Sequence, residues 1–220
     1  ALRVPRGQTT HALLNAVGQP IAAPSANPSG RVSPSDAFHV LRNMEGKIDA
    51  ILDSGPCSVG LEITVLDLSR EVPFLLRPGG VTLEQLTPIC GVIRNPDDYA
   101  TKLPASPGML ASHYAPALPV RLNAEHVEPG EALLAFGTPL PGSKLTWNLS
   151  ESGDLEEAAA RLFAGLRFLD SEGARRGLHG IAAMPVPRHG LGLAILDRLR
   201  RAASPRPPAG GDDDLEASLS

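Results

Sequence analysis

Apolar side chains recur at three- and four-residue steps between residues 155 and 169, a spacing that places them on one face of a helix. These residues are Leu155, Ala158, Ala159, Leu162, Phe163, Leu166 and Leu169. Asp154 is predicted to cap this helix, with Glu157 as its capping-box partner. A second helix is predicted over residues 192–203, and its basic end suits the negative end of a helix dipole. That basic end comprises Arg198, Arg200 and Arg201.

Short runs of β-branched and aliphatic residues, bounded by glycine and proline, predict strands in two parts of the chain. The later strands are Val120–Leu122, Ala132–Phe136 and Ile181–Met184. The earlier strands are Ala1–Pro5, Pro20–Ala23, Ala50–Leu52, Ile63–Leu68 and Phe74–Leu76, of which the second is expected to be buried. Because helices are predicted between them, the pattern indicates an α/β protein with mixed or parallel sheets.

Two helices are predicted among the earlier strands. The first covers Thr9–Val17. The second follows Ser33-Pro34, where a serine N-cap would precede a proline at the first helical position. Its apolar face would consist of Ala37, Val40 and Leu41.

The chain divides into four stretches. Residues 1–90 form the first α/β segment, and residues 119–203 form the second. Residues 91–118 are a proline-rich connector in which regular structure is not expected. Residues 204–220 are a tail of proline, glycine and aspartate, which is predicted to be disordered because it cannot bury enough apolar surface to fold.

Composition argues against several classes of function, as the net charge, the apolar runs and the cysteines show. The net charge of −4 gives no footprint for broad binding to a phosphate backbone, although a local basic patch stays open. No apolar run approaches the roughly 20 residues of a membrane span. Cys57 and Cys90 show no zinc spacing, which favours reduced thiols in a cytoplasmic protein.

The first candidate site is the turn PSANPSGR at residues 24–31. It would follow a strand and precede a helix, the position at which α/β proteins bind ligands. Ser33 and Ser35 would lie at the helix N-terminus, where free N–H groups favour phosphate. The alternative is an ordinary polar turn.

Two further candidates flank the strands between residues 60 and 80. Glu62 and Asp67 bound a predicted buried strand, and a buried carboxylate needs a partner or a metal. The alternative is that both lie at solvated strand ends. Arg77 precedes Pro78-Gly79-Gly80, from where it could hold a phosphate with two hydrogen bonds. The alternative for Arg77 is a surface position before a turn.

The fourth candidate is the segment SPGMLASHYAP at residues 106–116. Tyr114 could stack over a ligand, and His113 could pair with a carboxylate or serve a structural role. Ser25, His113 and Asp67 could in principle form a hydrolase triad, but no G-x-S-x-G elbow supports it. The sequence contains no Walker A loop and no G-x-G-x-x-G motif.

Taken in order, these segments resemble the long, two-domain form of threonylcarbamoyl-AMP synthase. The matching pieces are Arg3-Val4-Pro5, PSANPSGRVSPS at 24–35, GLEITVLDL at 60–68, LRPGG at 76–80, SPGMLASHYAP at 106–116, and the stretches 148–170 and 190–203. The resemblance implies the C-terminal part of a YrdC-like twisted α/β domain, a proline-rich lid or linker, and a small Rossmann-like α/β domain.

The resemblance also implies a reaction, in which L-threonine, bicarbonate and ATP give threonylcarbamoyl-AMP and pyrophosphate for tRNA modification. Magnesium would accompany ATP, with no tightly bound cofactor and no protein metal site. Transient contact with tRNA or with later tRNA-modification proteins is expected. The ATP contacts carried over are Asn27, Ser35, Arg77 and Tyr114, the last on the connector that would close the pocket. The threonine contacts carried over are Arg3, Ser25 and the position of Ile63, and no catalytic residue is assigned.

The sequence departs from the family pattern at three points. The family's first domain starts well before the position of Ala1 and includes a Lys/Arg motif, so we expect this chain to be inactive alone. Ile63 stands where the family usually has serine, and Leu196 stands where asparagine is more common. These departures keep a second hypothesis open, a non-catalytic remnant that binds tRNA or a partner protein.

Overall fold

The computed structural model describes residues 2, 3, 5, 7–28, 32–94 and 115–204. The described residues before position 95 form three helices and two strands. They are α1 (Gln8–Val17), α2 (Ala37–Met44), β1 (Val65–Asp67), β2 (Phe74–Arg77) and α3 (Leu83–Cys90). Strands β1 and β2 pair antiparallel, with Leu66 opposite Leu75. These elements confirm the predicted first helix and the last two predicted strands of this segment.

Two strand predictions in this part are wrong, and a third has no support from its described residues. Pro20–Ala23 and Ala50–Leu52 belong to no strand in the described chain, and Ile21 and Leu52 are exposed. Among residues 1–5, the described Leu2, Arg3 and Pro5 form no strand either. Apolar content alone suggested these strands, but a strand requires a neighbour with which its backbone can form hydrogen bonds.

Helix α2 begins later than the sequence suggested. Its N-cap is Asp36, whose carboxylate accepts a hydrogen bond from the backbone N–H of His39 at 2.8 Å. The predicted cap, Ser33, instead donates its hydroxyl to Glu62. A short acidic side chain one residue before the helix therefore supplies the acceptor that the first turn needs.

The second part, from residue 115, is built on four parallel strands. The elements are β3 (Val120–Arg121), β4 (Glu131–Ala135), β5 (Thr146–Asn148), α4 (Leu155–Arg175), β6 (Gly180–Ala183) and α5 (Gly192–Ala203). The strand order is β3-β6-β4-β5. The parallel sheet and its helices confirm the predicted α/β class, and β5 and α3 are the elements that the pattern of apolar residues did not indicate.

The core of the second part lies between the sheet and its two long helices. Every residue of β4 and β6 is buried, as expected for parallel strands covered on both faces. The predicted stripe of α4 is buried with the single exception of Leu155, which is partly exposed. Asp154 caps α4 by accepting the N–H of Glu157 at 2.7 Å, but the N–H of Asp154 donates to Ser150 rather than completing a capping box. No helix in the described ranges is both long and apolar enough to cross a membrane.

Candidate functional site

The turn at residues 24–31 presents its polar side chains differently. Ser25 is exposed, whereas Asn27 is buried and donates from Nδ2 to the Pro28 carbonyl oxygen at 2.9 Å. Ser35 is also buried, with its hydroxyl 3.1 Å from Nδ1 of His39. Burial lowers the pKa of His39, although Asp36 opposes that shift. The two residues expected to contact ATP in this region are therefore buried and held in place.

Arg77 lies at the end of β2 and is buried, which rules out the surface alternative. Its Nε and Nη2 donate to the carbonyl oxygen of Ile63 at 3.3 and 3.1 Å. The Ile63 side chain is exposed. Arg77 thus fixes the backbone at the position where the resemblance places a threonine contact.

The remaining expected site residues are Arg3 and Tyr114. Arg3 is exposed. Tyr114 and His113, with the connector between residues 95 and 114, lie outside the described residues. The expected roof of the pocket therefore stays a prediction.

The Glu62 carboxylate has protein partners. Its Oε1 accepts the hydroxyl of Ser33 at 2.7 Å, and its Oε2 accepts Nε of Arg198 at 2.9 Å. Burial raises the pKa of Glu62, but the Arg198 charge and the Ser33 hydroxyl lower it by more, so the net pKa lies below its usual value. A buried carboxylate requires either a protein partner or a metal ion, and Glu62 has protein partners.

Asp67 has a local structural role. Its carboxylate accepts hydrogen bonds from the backbone N–H and hydroxyl of Ser69, and it pairs with Arg70 at 3.1 Å. Ser25 is exposed and His113 lies outside the described residues, so the structure gives no support to a Ser25/His113/Asp67 triad. Within the described ranges, no group of three or more His, Cys, Asp or Glu side chains could hold a metal ion.

Arg198 does not have the role that the sequence predicts. Its place near the basic end of α5 predicts an interaction with the helix dipole, but its side chain is fully buried and reaches the first part of the chain. Besides Glu62, its Nη1 donates to the Pro78 carbonyl oxygen and to Asp197, each at 2.7 Å. We call Arg198, Glu62, Ser33 and Pro78 the Arg198 cluster. No local signal identifies it, because Glu62 is 136 residues from Arg198.

Helix α4 makes further contacts with the same region. Arg167 donates to the backbone carbonyl oxygens of Val32 and Ser33. Gly60 packs so closely that an added Cβ would lie 2.5 Å from both the Ala159 carbonyl oxygen and the Ala160 Cα. Val32 and Ser33, which follow the first candidate turn, and Gly60, which precedes β1, therefore contact α4. Glu62 and Pro78, which precede β1 and follow β2, contact Arg198 of α5.

Comparisons with known proteins agree with this two-part architecture. Residues 81–204 match the family model described as "Threonylcarbamoyl-AMP synthase, C-terminal domain". Residues 1–79 match the model described as "Telomere recombination". The two matches meet beside Gly80, so helix α3 falls within the match to the C-terminal domain.

Two curated relatives carry the name threonylcarbamoyl-AMP synthase. The protein of Pyrococcus abyssi is 37% identical over 94% of this chain and 64% of its own length. The protein of Bacillus subtilis is 37% identical over 94% of this chain and 63% of its own length. This chain therefore spans a little under two thirds of the relatives that it matches.

A solved structure gives the same result in three dimensions. The crystal structure of P. abyssi Sua5 complexed with L-threonine superposes with a TM-score of 0.78 at 35% identity, covering 91% of this chain and 63% of that one. A second solved form of that protein carries alanine in place of an adjacent histidine and tyrosine. From the family model that matches residues 81–204, together with these relatives, we conclude that the chain belongs to the threonylcarbamoyl-AMP synthase family.

Proposed function

We propose that the protein is an L-threonylcarbamoyladenylate synthase, which converts L-threonine, bicarbonate and ATP to threonylcarbamoyl-AMP and pyrophosphate. The observation that carries this proposal is the match to threonylcarbamoyl-AMP synthases across both parts of the chain. The threonine complex of the P. abyssi structure supports threonine as the amino-acid substrate.

In the proposed reaction the threonine amine combines with bicarbonate to give threonylcarbamate and water, and the carbamate oxygen, not the α-carboxylate, attacks the α-phosphorus of ATP. A new P–O bond forms, and the bond to the β,γ-diphosphate breaks to release pyrophosphate. The protein's task is to position the reactants and to exclude water from a labile carbamate. The described residues offer no metal donor cluster, so we propose that Mg²⁺ arrives with the ATP phosphates.

The proposed contacts fall into two groups, those to ATP and those to threonine. Asn27 and Ser35, both buried near the turn, would meet the nucleotide. Ser25 and Arg3 are exposed and would be available to threonine. We propose that Arg77, which donates to the Ile63 carbonyl oxygen, positions the threonine end of the site.

Tyr114 is proposed to close the site over the nucleotide. The sequence contains one adjacent histidine–tyrosine pair, His113-Tyr114. The solved P. abyssi variant carries alanine in place of an adjacent histidine and tyrosine, which supports the proposal that His113-Tyr114 belongs to the site. The product would then pass to tRNA or to later tRNA-modification proteins in the cytoplasm.

Pyrophosphate release tests the proposal. We would measure it with this chain and with the product of the complete reading frame, omitting threonine, bicarbonate or ATP in turn. Release that requires all three is the expected result for the complete product. Release without threonine would overturn the proposal, and tRNA binding without any turnover would favour the non-catalytic alternative.

A further inference from the structure

A cavity of about 240 Å³ opens in the second part of the chain, and no residue of the Arg198 cluster lines it. It lies where β3 and β6 end, because Asn123 follows β3 and Met184 follows β6 directly. These strands are parallel neighbours, so their carboxyl ends meet at one edge of the sheet. In open α/β sheets this edge is where ligands bind.

The lining combines apolar walls with positive charge. Leu196 and Leu199 of α5 contribute to the apolar wall, as does Met184. Arg188 and Arg200 also line the cavity, and no acidic side chain does so among the described residues. The space therefore suits a ligand with an apolar body and an anionic group.

The two arginines are available to a ligand. Both are exposed, and within the described part of the chain neither guanidinium makes a hydrogen bond or an ion pair. The contrast within α5 is informative, since Arg198 and Arg201 both pair with Asp197. Arg200 lies between them in sequence, and no carboxylate of residues 115–204 pairs with it.

We propose that this cavity binds a small phosphate ester with a flat apolar body, the chemistry of a nucleoside monophosphate. A phosphate monoester carries between one and two negative charges at neutral pH, which matches two guanidinium groups better than a carboxylate does. Guanidinium forks also suit phosphate oxygens geometrically. The cavity is smaller than the roughly 300–1,000 Å³ typical of ligand pockets, so the ligand is small. This inference does not depend on the proposed synthase activity.

Methionine methyl groups give a direct test, because the chain has three methionines, Met44, Met109 and Met184, and of the two in the described part of the chain, Met44 and Met184, only Met184 lines this cavity. We would label the methionine methyls with ¹³C, assign Met184 with the Met184→Leu variant, and titrate the full chain with AMP, adenosine and inorganic phosphate. AMP should shift the Met184 signal saturably. Binding at the nucleotide site proposed above would not be reported by Met184, so the two sites are distinguished.

Variants complete the test. Arg188→Gln and Arg200→Gln should each weaken the AMP effect on Met184 by about tenfold or more, because each loses a charge-assisted hydrogen bond. Lys144→Gln, which removes a positive charge from the same domain outside the cavity, should not, and an unchanged Met44 signal verifies folding. The proposal is overturned by no Met184 shift at millimolar AMP, by equal binding of adenosine, by equal binding of inorganic phosphate, or by arginine variants that bind AMP normally.

Discussion

Arg198 of α5 donates from Nε to Oε2 of Glu62 across 2.9 Å, joining residues 136 positions apart. Arg198 is fully buried, and Glu62 also accepts the Ser33 hydroxyl. Removing charges from water is costly, so such a pair is retained only with good geometry and further hydrogen bonds. The Arg198 cluster has both, and it joins the segments around the candidate site to the second part of the chain.

Replacing Arg198 with methionine should destabilise the fold strongly. The change leaves the Glu62 carboxylate without its cation. Loss of one partner from a fully buried pair costs about 3–5 kcal/mol, which is an upper bound here because the Glu62 side chain is 25% exposed. Urea unfolding of both forms measures the difference in the free energy of unfolding. Arg200→Met, on the exposed side of the same helix, should stay within about 0.5 kcal/mol of the unmodified protein. Similar losses in both variants would show that the cluster contributes little.

The same carboxylate should make stability depend on pH. Although burial raises the pKa of Glu62, Arg198 and Ser33 bring it below the ordinary 4.5. The unfolded chain therefore takes up this proton at a higher pH than the folded chain does. The stabilisation is complete above pH 4.5 and is lost as the pH falls through the folded-state pKa.

Urea unfolding at several pH values between about 3 and 6 checks this expectation. Glu62→Gln should flatten the acid side of the curve, because it removes the group that takes up the proton. Glu156→Gln, at an exposed position of α4, should retain the original slope. An unchanged curve for Glu62→Gln would contradict the assignment.

Gly60→Ala should destabilise the contact between the first part and α4. The added Cβ would meet the backbone of Ala159 and Ala160 at 2.5 Å, and the residue has a φ of 69°. Overpacking and the left-handed backbone together should cost about 2–4 kcal/mol. Gly46 is a matched control, because its φ is 74° with open space around it. Gly46→Ala should cost only the conformational part, about 1–2 kcal/mol, as measured by thermal or urea unfolding.

Ile63→Ser should tighten threonine binding if the position contacts threonine as the resemblance implies. A hydroxyl can form a hydrogen bond that isoleucine cannot, and one such bond to a charged group corresponds to about a tenfold change or more. Calorimetric titration of the complete gene product with L-threonine measures it. Ile63→Val keeps the site apolar and should leave the affinity near its starting value. Equal affinities in all three forms would remove residue 63 from the threonine site.

Arg77→Lys should raise the KM for threonine more than the KM for ATP. Lysine lacks the fork that lets Arg77 hold the Ile63 carbonyl oxygen through two nitrogens. Steady-state pyrophosphate release with each substrate varied in turn separates the two effects. Arg70→Lys, at an exposed arginine beside Asp67, serves as the control. A rise confined to the ATP KM would instead support the direct phosphate contact that the resemblance implies.

Much of the second part of the chain could be predicted because its elements show in local patterns. In α4, buried apolar residues recur at three- and four-residue steps, and in β4 and β6 they follow one another directly. Each element can therefore be recognised from residues that are close together in the sequence. Pro20–Ala23 has the same apolar character, yet pairing with another strand depends on residues far away in the chain. Helix α3 was missed because Pro88 lies inside it, although Thr82 and Gln85 form a capping box at its start.

The candidate site was less predictable than the fold for the same reason. The polar residues of the turn and Arg77 attract attention by type and position. Their surroundings depend on Arg198 and Arg167, which come from distant helices. A basic residue near a helix end has an adequate local explanation in the helix dipole, so nothing in the sequence required a buried partner for Arg198.

The position of Arg198 on the last helix has a consequence for biosynthesis. Glu62 leaves the ribosome long before α5 has been translated, and at about 5–20 residues per second the delay for 136 residues is roughly 7–27 s. During that interval the nascent Glu62 carboxylate lacks the Arg198 guanidinium, its partner in the folded protein. Premature termination before α5 would therefore yield a polypeptide whose early segments never acquire their counterion, a natural target for quality-control proteases.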